Sequence, residues 1–394
     1  MNVPKLRFKE FNDEYKTYKF YDVAKLCRGS SPRPIINFIT KSEDCVNWIK
    51  IGDVSPNETY INSTSEKITK EGAKKSRRVY KGEIILSNSM SFGRPYILNL
   101  DGCIHDGWFV VRDYEKLLNK EYLYHFMCSP LIQKQYKTLS TGGVVSNISS
   151  ELVYSVKLNI SSKEEQLKIA KFLSLLDKKI ELQSKKIEDL KLFKSSQIIN
   201  FFNKNNFAEV YIKNIGFFQS GNSLSKDCLT SSGVPIILYG DLYTKYNEVI
   251  KKVEQYTNDN KKYVKSKQNQ IIFPTSTTVN SLSLISPSSI NLDGIIYGGD
   301  ILILNLNKDV NADFLSYEIN HYKKKEFSKI AQGSTIIHIH AEDLLNCKIA
   351  LPNIVLQDKF ALTFNKLNQK IELENNKLNK LQKLKKGLMQ SMFV

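Results

Sequence analysis

Apolar residues recur at steps of three and four along two long stretches, one in the middle of the chain and one at its end. Each stretch keeps a narrow apolar stripe between charged flanks: Gln166, Ile169, Leu173, Leu176, Ile180, Gln183, Ile187 and Leu190, then Gln357, Phe360, Phe364, Leu367, Ile371, Glu374, Leu378 and Leu381. This spacing predicts two helices of about 36 residues each. Because the stripe is narrow and long, it favours a coiled coil between the helices over amphipathic helices lying on globular cores.

The two helical stretches are copies of each other. Lys179–Leu182 recurs as Lys370–Leu373 at an offset of 191 residues, and further identities keep that offset between residues 142 and 202 of the first copy. A constant register over roughly sixty residues indicates that one unit is used twice. The period is close to half the chain, so a solenoid of short repeats is excluded.

Short β-rich runs bounded by Gly, Pro, Asn and Ser precede each helix. They are Trp48–Ile51, Glu83–Leu86 and Gly107–Val111 in the first half, and Val234–Tyr239, Gln270–Phe273 and Ile301–Leu304 in the second. Each half then continues into a helical stretch, Glu121–Tyr136 or Ala312–Phe327. The predicted fold class is α+β, with boundaries at 1–160 (first globular domain), 161–203 (central helix), 204–351 (second globular domain) and 352–394 (C-terminal helix).

Charge adds a first indication of the partner. The 394 residues include 57 Lys and Arg against 40 Asp and Glu, a formal net charge of +17, and the surplus is spread along the chain. Such a surplus favours a polyanion, with nucleic acid as the default. Apolar residues make up 41%, enough for packed cores. No apolar run approaches the roughly 18 residues of a membrane-spanning helix, and the first ten residues lack a signal-peptide core, so we expect a cytoplasmic protein without a membrane partner.

The sequence lacks the usual motifs of nucleic-acid enzymes. It has no Asn/Asp-Pro-Pro-aromatic loop of an adenine methyltransferase and no nucleotide-binding glycine loop. Its single Glu-x-Lys, at Glu14–Lys16, lies in a polar N-terminal segment, and no aspartate lies upstream of Asp13 to complete a metal site. The six cysteines are too far apart in sequence for a zinc knuckle. His338 and His340 share one face of a strand-like run, and we interpret them as surface residues rather than a metal pair. We therefore expect no catalytic residue, no bound metal and no cofactor in this chain.

This arrangement resembles the specificity (S) subunit of a type I restriction-modification enzyme. The residues that carry the resemblance are 166–202 and 357–393, the opening Pro4–Phe8, and the matched Gly52-Asp53 and Gly240-Asp241 elements. The resemblance covers essentially the whole chain, although no single motif in it is diagnostic. A stand-alone DNA-binding protein or a bridging coiled-coil protein is the alternative.

The resemblance implies a division of labour. The globular halves would be target recognition domains that each read one part of a split, asymmetric DNA site. The two helices would pack antiparallel, set the unspecified spacer, and carry two methyltransferase (M) subunits, to which two restriction (R) subunits are added. S-adenosylmethionine, ATP and magnesium would belong to those partner subunits, which methylate adenine or cleave the double-stranded DNA.

Basic stretches and polar loops are the candidate DNA contacts. Cations would neutralise phosphates, and Arg or Asn would meet base edges. In the first domain the candidates are Lys74, Lys75, Arg77, Arg78, Lys81, Asn88 and Arg94; in the second they are Lys245, Lys251, Lys252, Lys261, Lys262, Thr275, Ser276, Thr277 and Asn280. A solvated surface is the alternative for each stretch.

The helices supply the candidate protein contacts. The coiled coil and M-subunit contacts are predicted at Leu173, Leu176, Ile180, Ile187, Leu190, Phe364, Leu367, Ile371, Leu378 and Leu381. Apolar residues at the helix ends exceed what a two-helix seam needs, and we expect them to face a protein partner: Phe193, Ile198, Phe201, Phe202, Leu384, Leu388, Met389 and Phe393.

Overall fold

The computed structural model describes residues 3–54, 58–88, 93–140, 148–258 and 262–394. It divides into two compact units, residues 1–184 with 376–394, and residues 185–375. Each unit therefore holds one globular domain and parts of both long helices.

The first unit is built on short strands followed by helices. Its strands are β1 (Lys16–Lys19), β2 (Lys25–Arg28), β3 (Ile39–Thr40), β4 (Val46–Ile49), β5 (Tyr60–Ile61), β6 (Glu66–Ile68), β7 (Arg77–Val79), β8 (Ile84–Ser87), β9 (Pro95–Leu98), β10 (Gly102–Ile104), β11 (Trp108–Arg112) and β12 (Lys157–Ile160). The helices that begin in it are α1 (Phe20–Val23), α2 (Lys70–Lys74), α3 (Lys120–Cys128), α4 (Pro130–Ser140), α5 (Ser150–Ser155) and α6 (Lys163–Lys204).

The second unit repeats that composition. Its strands are β13 (Glu209–Tyr211), β14 (Gly216–Ser220), β15 (Leu229–Thr230), β16 (Val234–Ile237), β17 (Val249–Ile250), β18 (Tyr256–Thr257), β19 (Gln270–Pro274), β20 (Ser276–Thr277), β21 (Ser288–Ile290), β22 (Ile296–Tyr297), β23 (Ile301–Leu306), β24 (Ile337–His338) and β25 (Lys348–Ala350). Its helices are α7 (Asp241–Thr244), α8 (Ser281–Leu284), α9 (Ala312–Tyr317), α10 (Lys324–Phe327), α11 (Ala341–Leu345) and α12 (Ile354–Met392), and a π-helical turn follows α9 at Glu318–Tyr322.

The two units share one sheet topology. The main sheet has the order β2-β11-β8-β9-β5 in the first unit and β14-β23-β19-β21-β17 in the second. Only the last pair of each sheet, β5 with β9 or β17 with β21, is parallel. The smaller sheet has the order β3-β6-β4-β10-β7 in the first unit and β15-β18-β16-β22 in the second. The sequence repeat therefore extends into the globular halves, where few identities survive.

The main sheet of each unit is covered on both faces. Alternate residues of β8 enter different cores: Ile84 and Leu86 pack in one, and Ile85 in the other. In β19, Ile271 and Phe273 likewise face away from Ile272. A strand buried on both sides needs a continuous apolar run, which explains why these two strands could be recognised in the sequence.

The two long helices pack antiparallel, as predicted. In the first unit the start of α6, at Ile169–Leu173, shares a core with Met389–Phe393 at the end of α12. In the second unit the end of α6, at Ile198 and Phe202, shares a core with Phe360 near the start of α12. Every position of both predicted stripes is buried or half-buried. No helix of the described residues is long and apolar enough to cross a membrane.

Candidate nucleic-acid interface

Three segments of the first domain come together beside the turn at His105–Gly107. The Arg28 guanidinium and the Asn88 side-chain amide both donate to the backbone carbonyl of Asp106, at 3.3 and 2.8 Å. Arg77 donates to the carbonyl of Arg28 at 3.1 Å. The structure thus brings the predicted basic stretch and the predicted polar loop to one place.

A glycine lets the first of these segments approach the turn. A Cβ added at Gly29 would lie 1.9 Å from the carbonyl oxygen of His105, which is an impossible distance, so only glycine fits. In the second domain a Cβ at Gly221 would lie 2.2 Å from the carbonyl oxygen of Gly298. The same close approach of loop and turn is therefore built into both domains.

The predicted cations of the first domain are exposed. Lys74 lies in α2, Lys75 follows it, Arg77 and Arg78 lie in the edge strand β7, and Lys81 follows that strand. The ion pair between Lys74 and Glu71 measures 2.8 Å and is open to solvent, so it leaves the cation accessible.

The two predicted base readers of this domain are less accessible. Asn88 is 4% exposed and uses its amide inside the chain, as described above. Arg94 is half-buried, and its guanidinium lies 5.6 Å from the centre of the Tyr96 ring. Asn88 therefore holds the turn in place, and a DNA contact from either residue stays a prediction.

In the second domain the predicted cations are also exposed. Lys245, Lys251, Lys252 and Lys262 face solvent, whereas Lys261 lies outside the described residues. Lys245 pairs with Asp241 at 2.8 Å and Lys252 with Glu254 at 2.7 Å.

The polar loop of the second domain is partly absorbed by the fold. Ser276 and Thr277 are buried in β20, which pairs with β24, and Ser276 donates to Asp300 at 2.9 Å. Thr275 is half-buried and Asn280 is exposed. The side-chain oxygen of Asn280 accepts from the backbone N–H of Ser283 at 2.8 Å and caps α8. Their roles toward DNA stay predictions.

Sequence reasoning missed the residues that surround the turn in the first domain. Ser31 donates to the Asp106 carboxylate at 2.8 Å, and this hydrogen bond lowers the pKa of Asp106. Burial lowers the pKa of His105, whose Nδ1 accepts from the N–H of Gly107 at 2.6 Å. The available signal was the run from Arg28 to Pro34, where glycine, serines and two prolines predict an irregular loop that also carries two arginines.

The helix contacts divide into a closed seam and an open flank. Of the predicted contact residues, Leu173, Ile187, Phe364 and Ile371 are buried, and Leu176, Ile180, Leu190, Leu367, Leu378 and Leu381 are half-buried. Beside the seam, Leu182 and its repeat equivalent Leu373 are 58% and 61% exposed. Large apolar side chains are also exposed at Leu175, Leu192, Phe193, Leu362 and Leu384.

The expectation for the helix ends was wrong for four residues. Ile198, Phe202, Met389 and Phe393 are each less than 5% exposed within the chain itself. Phe393 packs edge-on against Tyr122 and Phe126, so the end of one helix completes a core in the globular domain of the other repeat. Phe193 and Leu384 remain exposed.

Metal ligands are not clustered in the described part of the chain. No group of three or more His, Cys, Asp and Glu side chains there is arranged to hold a metal ion. His338 is an exposed residue of β24, and His340 precedes α11.

A fold in which one recognition-domain topology occurs twice, each time followed by a long helix, defines the class to which this chain belongs. The family model described as the type I restriction modification DNA specificity domain matches it twice, at residues 12–192 and 204–383. The chain therefore belongs to this family, and it is a DNA specificity subunit of the type I restriction-modification class.

Two relatives come from Methanocaldococcus jannaschii. The specificity subunit of type I restriction enzyme MjaVIII is 22% identical over 402 residues, which cover 96% of this chain and 91% of the relative. The MjaIX specificity subunit is 26% identical over 192 residues, or 48% of this chain and 44% of the relative.

Solved structures share the fold. The S subunit of a type I restriction-modification system from M. genitalium matches with a TM-score of 0.59 and 16% identity, over 100% of this chain and 99% of that one. A chain from a structural study of complex assembly and conformational transition of the type I R-M system also matches with a TM-score of 0.59 and 16% identity, over 96% and 97%.

Proposed function

We propose that this specificity subunit reads an asymmetric, two-part DNA site and directs partner subunits to it without doing chemistry itself. Each globular domain reads one part of the site, and the helix pair sets the unspecified spacer between them. Methyltransferase subunits then methylate adenine in the site, and restriction subunits cleave unmodified DNA.

The observation that carries this proposal is the combination of one topology with different loops. The main sheets of the two domains follow the same strand order, yet the polar groups at equivalent loop positions differ. In the first domain the backbone N–H of Ser30 donates to the carbonyl of Ile104, and in the second the N–H of Asn222 donates to the carbonyl of Tyr297. When these two bonds are matched, Asp106 of the first domain falls at the position of Gly299 in the second. Different side chains on one scaffold read different bases, so the two half-sites differ.

The exposed flank of the helix pair supports a protein partner. Leu182 and Leu373 occupy equivalent positions in the two repeats, and both are more than half exposed. Exposed leucines repeated at the same place suit two copies of one partner, because duplicated surfaces bind equivalent surfaces. Methyltransferase subunits are the partners that the proposed reaction needs.

Catalysis and cofactors belong to those partners in this proposal. Adenine methylation requires a methyl donor such as S-adenosylmethionine, and cleavage coupled to translocation requires ATP and magnesium. Two methyltransferase subunits and two restriction subunits complete the assembly. The compartment that holds the DNA, the cytoplasm, is the proposed location.

Base-modification sequencing tests the function. A host is sequenced with the methyltransferase subunit alone, with this chain alone, and with both. We expect modified adenines in one asymmetric two-part motif only when both proteins are present. Modification produced by this chain alone would overturn the non-catalytic assignment.

A second arm addresses the partner surface. Leu182→Asp and Leu373→Asp should abolish co-purification of the methyltransferase subunit while leaving the thermal unfolding midpoint near that of wild type. Lys178→Asp, at an exposed polar position of the same helix, is the control. Binding to DNA without any co-purifying subunit in the wild-type chain would favour the stand-alone DNA-binding alternative.

A further inference from the structure

An arginine and an aspartate lie side by side at an open cleft of the first domain. The cleft has a volume of about 800 Å³, and its lining includes Arg33, Trp48, His105 and Asp106. The guanidinium of Arg33 lies 3.5 Å from the carboxylate of Asp106, and the two side chains are 82% and 48% exposed. An ion pair so open to water adds little to stability, and both groups keep free hydrogen-bonding positions.

The surroundings hold the carboxylate in place and restrict the backbone at Arg33. Arg33 stands between Pro32 and Pro34, whose rings restrict the backbone on either side of it. Ser31 donates to one carboxylate oxygen of Asp106 at 2.8 Å. The carbonyl of Asp106 is anchored by Asn88, as described above. The acceptor is therefore arranged before any ligand arrives, and the ion pair keeps the donor beside it, which reduces the entropy lost on binding.

We propose that Arg33 and Asp106 read a G·C base pair in the major groove of the first half-site. The guanidinium donates to O6 and N7 of guanine, and the carboxylate accepts from the N4 amino group of cytosine. These are the groups that guanine and cytosine present next to each other in the major groove, and they match the chemistry of the two side chains. This inference rests on the proposed function in DNA recognition.

Neighbouring cations suit the same duplex. Lys75 and Arg77 are exposed. The carbonyl of Lys75 accepts from the Ser30 hydroxyl, and the Arg77 guanidinium donates to the carbonyl of Arg28, so both residues are bonded to the segment that leads to Arg33. Contacts of these cations with phosphates would fix the position of the cleft on DNA without reading sequence.

The second domain lacks this pair at the equivalent place. Its loop and turn make the same close approach, but Gly298 and Gly299 occupy the positions of His105 and Asp106. Asp300 follows Gly299 and accepts from Ser276, but residues 204–351 contain no arginine to pair with it. Reading by an Arg–Asp pair is therefore confined to the first half-site. The inference therefore also predicts which half of the site depends on residues 33 and 106.

The test uses the full chain assembled with its methyltransferase subunit. Methylation is measured on a duplex library in which every position of both half-sites is varied. Arg33→Ala should reduce the preference for G·C at one position of one half-site by roughly 5- to 150-fold, the usual range for a bidentate contact. Asp106→Asn should relax the same position, because an amide can donate where the carboxylate only accepts. Arg33→Lys should keep binding but lose most of the preference, since an ammonium does not form the bidentate pair.

Lys116→Ala, which removes an exposed cation from the same domain, is the matched control and should leave every preference unchanged. An unchanged preference in Arg33→Ala would overturn the inference, and so would an equal loss on all sequences, which indicates a phosphate contact. If Asp106→Asn unfolds the domain, Arg33→Ala decides alone, because that side chain is exposed. A wild-type assembly without any sequence preference would instead overturn the proposed function.

Discussion

The side chain of Gln166 accepts a hydrogen bond from the backbone N–H of Asn119 at 2.8 Å. Its amide nitrogen donates to the carbonyls of Leu117 and Ser161, both at 2.9 Å, so one buried side chain joins the start of α6 to the segment before α3. Gln357 repeats the arrangement in the second unit, where it accepts from Asn311 at 2.9 Å. Both glutamines are fully buried, and the duplication has kept the connection between domain and helix.

Removing either glutamine side chain should destabilise its unit strongly. Gln166→Ala removes the partner of one backbone N–H and two carbonyls at buried or part-buried sites, and we expect a loss of about 2 to 4 kcal/mol in the free energy of unfolding. Gln357→Ala should lose a similar amount. Urea denaturation followed by circular dichroism measures both. Gln382→Ala, at an exposed position of α12, should change little; an equally large effect there would contradict the explanation.

A buried ion pair holds the second domain to the helix pair. Lys194 of α6 donates to Glu248 at 2.6 Å and to Asn368 of α12 at 2.9 Å. His321 contacts the same carboxylate at 2.6 Å. Burial opposes ionisation of Glu248, but the hydrogen bond with His321 and the charge of Lys194 hold its pKa well below the usual range.

Lys194→Met should therefore destabilise the second unit by about 3 kcal/mol at neutral pH, because it leaves a buried carboxylate short of its cation. A depressed pKa in the folded state stabilises the fold above the ordinary carboxyl pKa, near 4.5, and that contribution is lost as the pH falls below it. The difference in the free energy of unfolding between variant and wild type should therefore be smaller at pH 3 than at pH 7, as measured by denaturation at both pH values. Lys191→Met, an exposed lysine on the same helix, is the control, and a constant difference at both pH values would contradict the mechanism.

Glu318 should make the opposite contribution to pH dependence. Burial raises its pKa to about 8, and its Oε1 accepts from the N–H of Ala350 at 2.7 Å. A raised pKa stabilises the fold below the ordinary value of 4.5, and this contribution is lost as the pH rises through about 8.

Glu318→Gln should abolish that loss. We expect wild type to lose up to about 1.4 kcal/mol of stability per pH unit through this group between those pKa values, whereas the neutral amide is insensitive to pH and keeps the bond to Ala350. Thermal unfolding from pH 5 to pH 9 measures the slope. Glu342→Gln, at an exposed carboxyl, should retain the wild-type slope. A variant at position 318 with the wild-type slope would show that another group titrates.

The sequence predicted those parts of the fold whose pattern is local. The heptad stripe and the apolar runs at Ile84–Leu86 and Ile271–Phe273 were recognisable, because burial along one stripe or on both faces of a strand leaves a periodic or continuous signal. The matched Gly-Asp elements also proved structural: Asp53 accepts from the N–H of Lys50, and Asp241 from that of Leu238.

Long-range packing left no such signal. Phe393 is apolar whether it fills a core of the chain or faces a partner, and only the fold shows that it packs against Tyr122. The cleft was missed for a similar reason, since Arg33 and Asp106 are 73 positions apart in sequence and are joined by the folding of two loops. Most two-residue strands are also defined by their pairing partners rather than by their own composition.

The heptad register of α6 and α12 makes the spacer adjustable in steps. A seven-residue insertion after Ser184 that copies residues 178–184, together with one after Asn375 that copies 369–375, keeps both apolar stripes in phase. Each insertion lengthens its helix by about 10.5 Å, which corresponds to roughly three base pairs of duplex. We expect the doubly extended chain, assembled with its methyltransferase subunit, to methylate a site with the same two half-sites and a longer spacer.

A pair of two-residue insertions at the same positions is the control, because two residues rotate the rest of each helix by about 200°, which turns the apolar stripes away from each other and should prevent the helices from packing. Base-modification sequencing reads spacer and half-sites in one experiment. A spacer that stays constant in the doubly extended chain would show that the helix pair does not set the distance. Altered half-site sequences would instead show that the insertion disturbs the recognition domains, since the insertion points lie in the helices and outside residues 1–160 and 204–351.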